Sequence, residues 1–88
     1  MEHETHPAIV ARLKRAQGHL GSVIAMILEG RPCVDLAQQL HAVENAVANA
    51  KRELIHDHID HCLGDEVDGG DTTRKTALLE FRQLAKYL

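Results

Sequence analysis

Three side chains in this 88-residue chain have the types and spacing to hold a metal ion: Cys33, His58 and Cys62. His58 and Cys62 are four residues apart. On a helix they lie on one face, one above the other, and an imidazole and a thiolate at that spacing can share one ion. Cys33 precedes His58 by 25 residues. Two thiolates and one imidazole form a soft, low-coordinate donor set. It suits Cu(I), and it takes Zn(II) or Ni(II) when a fourth ligand joins. His3 and His6 on the N-terminal arm and His61 beside Cys62 are the candidates for that fourth ligand. His41, His56 and His61 too read more readily as surface or packing residues, since histidine is often partly buried without any metal. Taken alone, Cys33 reads as a small buried hydrophobe.

The elements that must position these side chains follow from apolar periodicity. Ile9, Leu13, Ala16, Leu20, Val23 and Ile27 alternate steps of four and three, one face of an amphipathic helix over roughly 7–29. Gly30 stands where a glycine closes a helix, and Pro32 suits the first turn of the next one. Leu36, Leu40, Val43, Val47, Ala50 and Leu54 continue the stepping, with no Gly or Pro before Gly64, and predict one helix over roughly 32–63. A polar link follows, and Asp71 or Thr72 suits the cap of a third helix over roughly 72–87. Its apolar face is Ala77, Leu78, Phe81, Leu84, Ala85 and Leu88. The fold class is all-α, three helices per chain with a long central one, in a single domain over 1–88.

Length turns this pattern into an expectation of assembly. At about 1.5 Å per residue the central helix is roughly 45 Å long, whereas a compact chain of this size is only about 30 Å across. One chain cannot enclose that helix, so its heptad-spaced face predicts a homo-oligomer built on antiparallel pairing about a two-fold axis. The competing arrangement breaks the helix in two within a monomeric four-helix cluster, and no breaker residue stands between 33 and 63 to do so. Antiparallel pairing also resolves the position of Cys33. Within one continuous helix it lies roughly 37 Å from His58. In a dimer, Cys33 of one subunit meets His58 and Cys62 of its partner, giving two equivalent sites that bridge subunits.

The spacing Cys33, His58, Cys62 resembles the ligand pattern of the CsoR/RcnR family of bacterial metal-sensing repressors. The segments Arg12-Leu13-Lys14-Arg15-Ala16-Gln17-Gly18-His19-Leu20, Cys33-Val34-Asp35-Leu36, Gln39-Leu40-His41-Ala42-Val43 and His58-Ile59-Asp60-His61-Cys62 resemble it too, over nearly the whole chain. The resemblance implies an all-α dimer that pairs into a dimer-of-dimers tetramer. It implies a repressor that binds operator double-stranded DNA when metal-free, leaves it on binding metal, and controls metal efflux or resistance genes. The Cys–His–Cys set resembles the Cu(I) sensors. An added N-terminal histidine marks nickel or cobalt sensors, and His3 and His6 are offset from that register. The Gln38–Glu44 and Asp57–Leu63 stretches also resemble the nickel-resistance relatives (NreA-like). Glu80 resembles the glutamate that supports the ligating histidine in the copper sensors, while the tyrosine these carry before the first cysteine is Pro32 here. The formaldehyde sensors carry a proline directly after the initiator Met, where this chain has Glu2. The persulfide sensors lack the histidine present here as His58.

On the DNA side, Arg12, Lys14 and Arg15 cluster in the first helix, and no Asp or Glu lies between Glu4 and Glu29. Lys51 and Arg52 add a basic pair on the second. By themselves these charges read as the solvated face of an amphipathic helix; the resemblance implies that they meet phosphates. The formal net charge of −3 argues mildly against a nucleic-acid partner. It hides segregation, however, because Glu53–Asp71 contains seven acidic residues and no Lys or Arg.

Composition excludes other classes. With one Phe, one Tyr and no Trp, there is no aromatic platform for sugars, cofactors or single-stranded nucleic acid. No apolar run is long enough to span a membrane, and no signal sequence is visible, so the expected location is cytoplasmic. Two alternatives stand beside the Cu(I)-responsive repressor. One is a Ni(II)- or Co(II)-responsive repressor of the same family. The other is a metal buffer or chaperone that binds no DNA and uses the same ligands. An enzyme is not expected: catalytic zinc keeps an open position and a nearby acid or base in a concave pocket, for which a three-helix chain leaves little room.

Overall fold

The computed structural model describes residues 6–66 and 71–88, and the side chains of 6–60 and 74–88. Three helices follow one another: α1 (His6–Leu28), α2 (Cys33–Glu66) and α3 (Asp71–Ala85). No strand occurs among the described residues. The all-α, three-helix architecture expected from periodicity is therefore the observed one. The central helix is a single 34-residue element, without the break that a four-helix cluster would need. No helix among the described residues is long and apolar enough to cross a membrane.

The turn from α1 to α2 shows why the chain reverses where it does. Gly30 has φ 79°, a left-handed conformation that costs a glycine nothing sterically. The N–H of Gly30 donates to the Ile27 carbonyl at 3.1 Å and the N–H of Arg31 to the Met26 carbonyl at 3.1 Å. This is the Schellman pairing that satisfies the last carbonyls of a helix. Pro32 departs from expectation by one position. It precedes α2 rather than lying in its first turn, and its carbonyl accepts the first intrahelical bond from the Leu36 N–H at 3.1 Å. Asp35, in the first turn, suits the positive end of the helix dipole. α3 starts at Asp71, and the side chains of the expected caps Asp71 and Thr72 lie outside the described residues.

The chain divides into two compact units, Met1–Lys51 and Arg52–Leu88. In the first, Ile9, Ala16 and Val23 of α1 and Val43 and Ala50 of α2 are buried. Each set repeats every seven residues. The other half of each apolar stripe stays in solvent: Leu13, Leu20 and Ile27 are 42%, 41% and 51% exposed, and Leu40 and Val47 are 43% and 46% exposed. One chain thus covers only one seam of a two-seam pattern, and water does not willingly wet the other. In the second unit Ile55 and Asp57 are buried, and Leu78, Leu79 and Phe81 of α3 are exposed.

Candidate metal centre and nucleic-acid interface

The second unit carries the candidate ligands His58 and Cys62. His58 lies on α2, half-buried, and its Nε2–H donates to Glu80 Oε2 on α3 at 2.8 Å. A carboxylate on one ring nitrogen fixes the tautomer and the orientation of the ring. With Nε2–H donating, the lone pair of the neutral ring belongs to Nδ1. The pair borders a surface recess of about 610 Å³, which Gln83, Leu84, Lys86 and Tyr87 also line. Cys62 stands one turn beyond His58 on α2, and its side chain lies outside the described residues, as do those of His61 and His3. His6 is the first residue of α1 and is half-buried.

Cys33 begins α2 in the first unit, and its thiol is exposed. The reading of an isolated Cys33 as a buried hydrophobe thus gives way, because no core closes over the first turn of α2. No group of three His, Cys, Asp or Glu side chains stands together among the described residues. His56 is exposed, and His41, 71% exposed, sits 3.9 Å from Glu44 one turn away, a surface arrangement.

The first unit holds the basic face. Arg12, Lys14 and Arg15 are exposed on α1, and Lys51 on α2. Arg52, exposed on α2, belongs to the second unit. Arg12 and Arg15 border a groove of about 320 Å³ with Ala16 and His19 of α1 and Ala46 and Asn49 of α2. His19 Nε2–H donates to Gln39 Oε1 at 2.6 Å, joining α1 to α2. Lys14 does not line this groove. The sequence pattern alone assigns no role to His19 or Asn49 in this groove. The spacing Arg12, Arg15, His19 is a helical one that places all three on one face. Nothing local announces Asn49, which comes from the other helix.

Comparison with known proteins decides the family. A model of metal-sensitive transcriptional repressors matches residues 5–86. The chain belongs to this family, the CsoR/RcnR repressors. Over 63 residues, 72% of the chain, it is 38% identical to a copper-sensing transcriptional repressor, CsoR, of Bacillus subtilis. It is 38% identical over the same length to the CsoR of Mycobacterium ulcerans. A Mycobacterium tuberculosis relative, the copper-sensing repressor RicR, is 32% identical over 59 residues, 67% of the chain. The matched stretch spans 62%, 54% and 62% of the length of these relatives. Among solved structures, the nickel-responsive transcriptional regulator InrS superposes with a TM-score of 0.85 at 28% identity, covering 100% of this chain and 98% of that one. The family is one of transcriptional repressors and not of enzymes. Its relatives include both copper and nickel regulators.

Proposed function

We propose that this chain is a metal-responsive repressor that binds operator DNA when metal-free and is released by metal, with Cu(I) as the favoured effector and efflux or resistance genes as the target. The observation that carries this reading is the His58–Glu80 bond in a chain of this family. In this proposal the carboxylate-supported imidazole of His58 is a metal ligand through Nδ1, one turn from Cys62 on α2. In this proposal the third ligand is Cys33 of a second subunit, and an exposed thiol at the start of α2 suits that role. The unburied seam of Leu13, Leu20, Ile27, Leu40 and Val47 supports a homo-oligomer, a dimer or a dimer of dimers. The basic residues Arg12, Lys14, Arg15, Lys51 and Arg52 would then recur in every subunit, multiplying a small positive patch along a phosphate backbone. Such a repressor works in the cytoplasm.

When bound, the ion supplies a cross-link between two subunits through thiolate and imidazole bonds. Cys33 at one end of α2 and His58 and Cys62 at the other would feel that link directly, and Glu80 would keep the His58 ring oriented for it. If the linked arrangement misaligns the basic residues, metal and DNA disfavour one another by the same coupling. About 1–3 kcal/mol changes affinity roughly 5–150-fold. Ni(II), as in InrS, is the second reading, with Co(II) or Zn(II) taken when His3, His6 or His61 completes the coordination. A DNA-binding assay of the metal-free protein, challenged with buffered Cu(I), Ni(II), Co(II) and Zn(II), tests both. Release by one ion at the lowest free concentration names the effector. Absence of DNA binding by the metal-free protein would leave a metal buffer or chaperone in its place.

A further inference from the structure

The basic groove in the first unit is not only a place where arginines emerge. Its floor is Ala16 and Ala46, its flanks carry Arg12 and Arg15, and Asn49 and His19 complete the wall. The packing beneath it uses small or β-branched residues: Ala16, Val23, Val43 and Ala50 are all buried. Apolar burial of this kind holds two helices together without fixing direction, because it is proportional to area. A hydrogen bond is directional, weakening steeply as its angle departs from linear. The His19–Gln39 bond, at 2.6 Å and part-buried, supplies that direction at the edge of the groove. Gln39 does not line the groove, and it lies six residues along α2 from Cys33. Its acceptor is a neutral amide oxygen, so it orients His19 without placing a negative charge beside Arg12 and Arg15.

We propose that His19 is a positioning residue for phosphate binding: its bond to Gln39 sets the geometry of the Arg12–Arg15 groove and ties that geometry to the α2 segment that begins at Cys33. This rests on the repressor reading and names how one DNA-facing site would sense the metal-bearing end of α2. A displacement of the first turns of α2 moves Gln39, Gln39 moves or releases His19, and the spacing of Arg12, Arg15 and Asn49 around the groove changes with it.

The test uses the full chain and a duplex from the DNA upstream of its own gene, with fluorescence anisotropy over a range of salt, without metal and with Cu(I) or Ni(II). Gln39→Leu removes the acceptor without touching the groove lining. Its expected effect is a loss of metal-free DNA affinity of roughly 2- to 10-fold, the size of one hydrogen bond. The salt slope should be unchanged, because no phosphate contact is deleted. The ratio of metal-free to metal-bound DNA affinity should shrink. His19→Leu should behave the same way. His19→Gln, whose amide N–H can still donate to Gln39, should retain most of the wild-type affinity and metal response. A merely structural contact would lower the melting temperature and leave affinity, slope and ratio where they were. That result, or a His19→Gln protein as impaired as His19→Leu, overturns the proposal. Wild-type protein that fails to bind the duplex overturns the repressor reading, and this proposal with it. Wild-type binding matched by an indistinguishable Gln39→Leu protein overturns the positioning role alone.

Discussion

Two histidines in this chain are held in the same way and to different acceptors. His19 donates from Nε2 to the amide oxygen of Gln39 at 2.6 Å in the first unit. His58 donates from Nε2 to the carboxylate of Glu80 at 2.8 Å in the second. Under the proposed function, the acceptor's charge matches the ligand of each region. A carboxylate makes the imidazole a stronger donor to a cation at Nδ1. An amide orients the ring without adding a negative charge beside Arg12 and Arg15. The charge census agrees: residues 1–51 carry five basic and five acidic side chains, and residues 52–88 carry five and eight. The whole formal charge of −3 therefore belongs to the second unit, and it says little against DNA binding by the first.

The largest way to break this division is at Cys33. Cys33→Ala should leave metal-free DNA binding intact and abolish metal-driven release, since the thiol is a proposed ligand and no part of the basic groove. A Cys33→Ala protein still displaced from DNA by metal would sink the ligand assignment. Glu80→Ala comes next. Loss of the bond that orients His58 should weaken metal affinity by about 10–100-fold, measured by competition with a chelator, with DNA affinity unaffected. Glu80→Gln sharpens the comparison further, because it gives His58 the kind of acceptor that His19 has. Its loss in metal affinity should fall between wild type and Glu80→Ala, and equality with wild type would show that the carboxylate's charge is immaterial. Arg15→Ala should weaken DNA binding and lower the salt slope by about one, while leaving metal affinity alone. An unchanged slope would remove Arg15 from the phosphate contacts. The smallest effect is expected at Gly30→Ala. A β-carbon at φ 79° should cost about 1 kcal/mol in thermal unfolding.

Much of this was readable in order along the chain. The heptad stepping of Ile9, Ala16 and Val23 predicted a buried face, and the Schellman closure at Gly30 followed from a glycine placed just past the last apolar residue of α1. What periodicity could not divide was the stripe itself. Leu13 and Leu20 have the same apolar character as Ile9 and Val23, yet they remain about two-fifths exposed. Spacing says that a face is apolar; it does not say which neighbour covers it. Pro32 shows a similar limit at smaller scale. Either side of the first helical position suits a residue without an N–H, and only the bond from Leu36 to its carbonyl decides between them.

The sequence by itself determined the helices and the family. These depend on residue identity at short, regular separations, where helix geometry converts number into direction. Glu80 could be named from resemblance, but its contact with His58 spans 22 residues. The partnership of His19 with Gln39 spans 20 residues, and the groove adds Asn49 from a different helix. Only the tertiary structure decided those, because a side chain's partner across a helix pair is set by how the helices pack, and no local pattern encodes that.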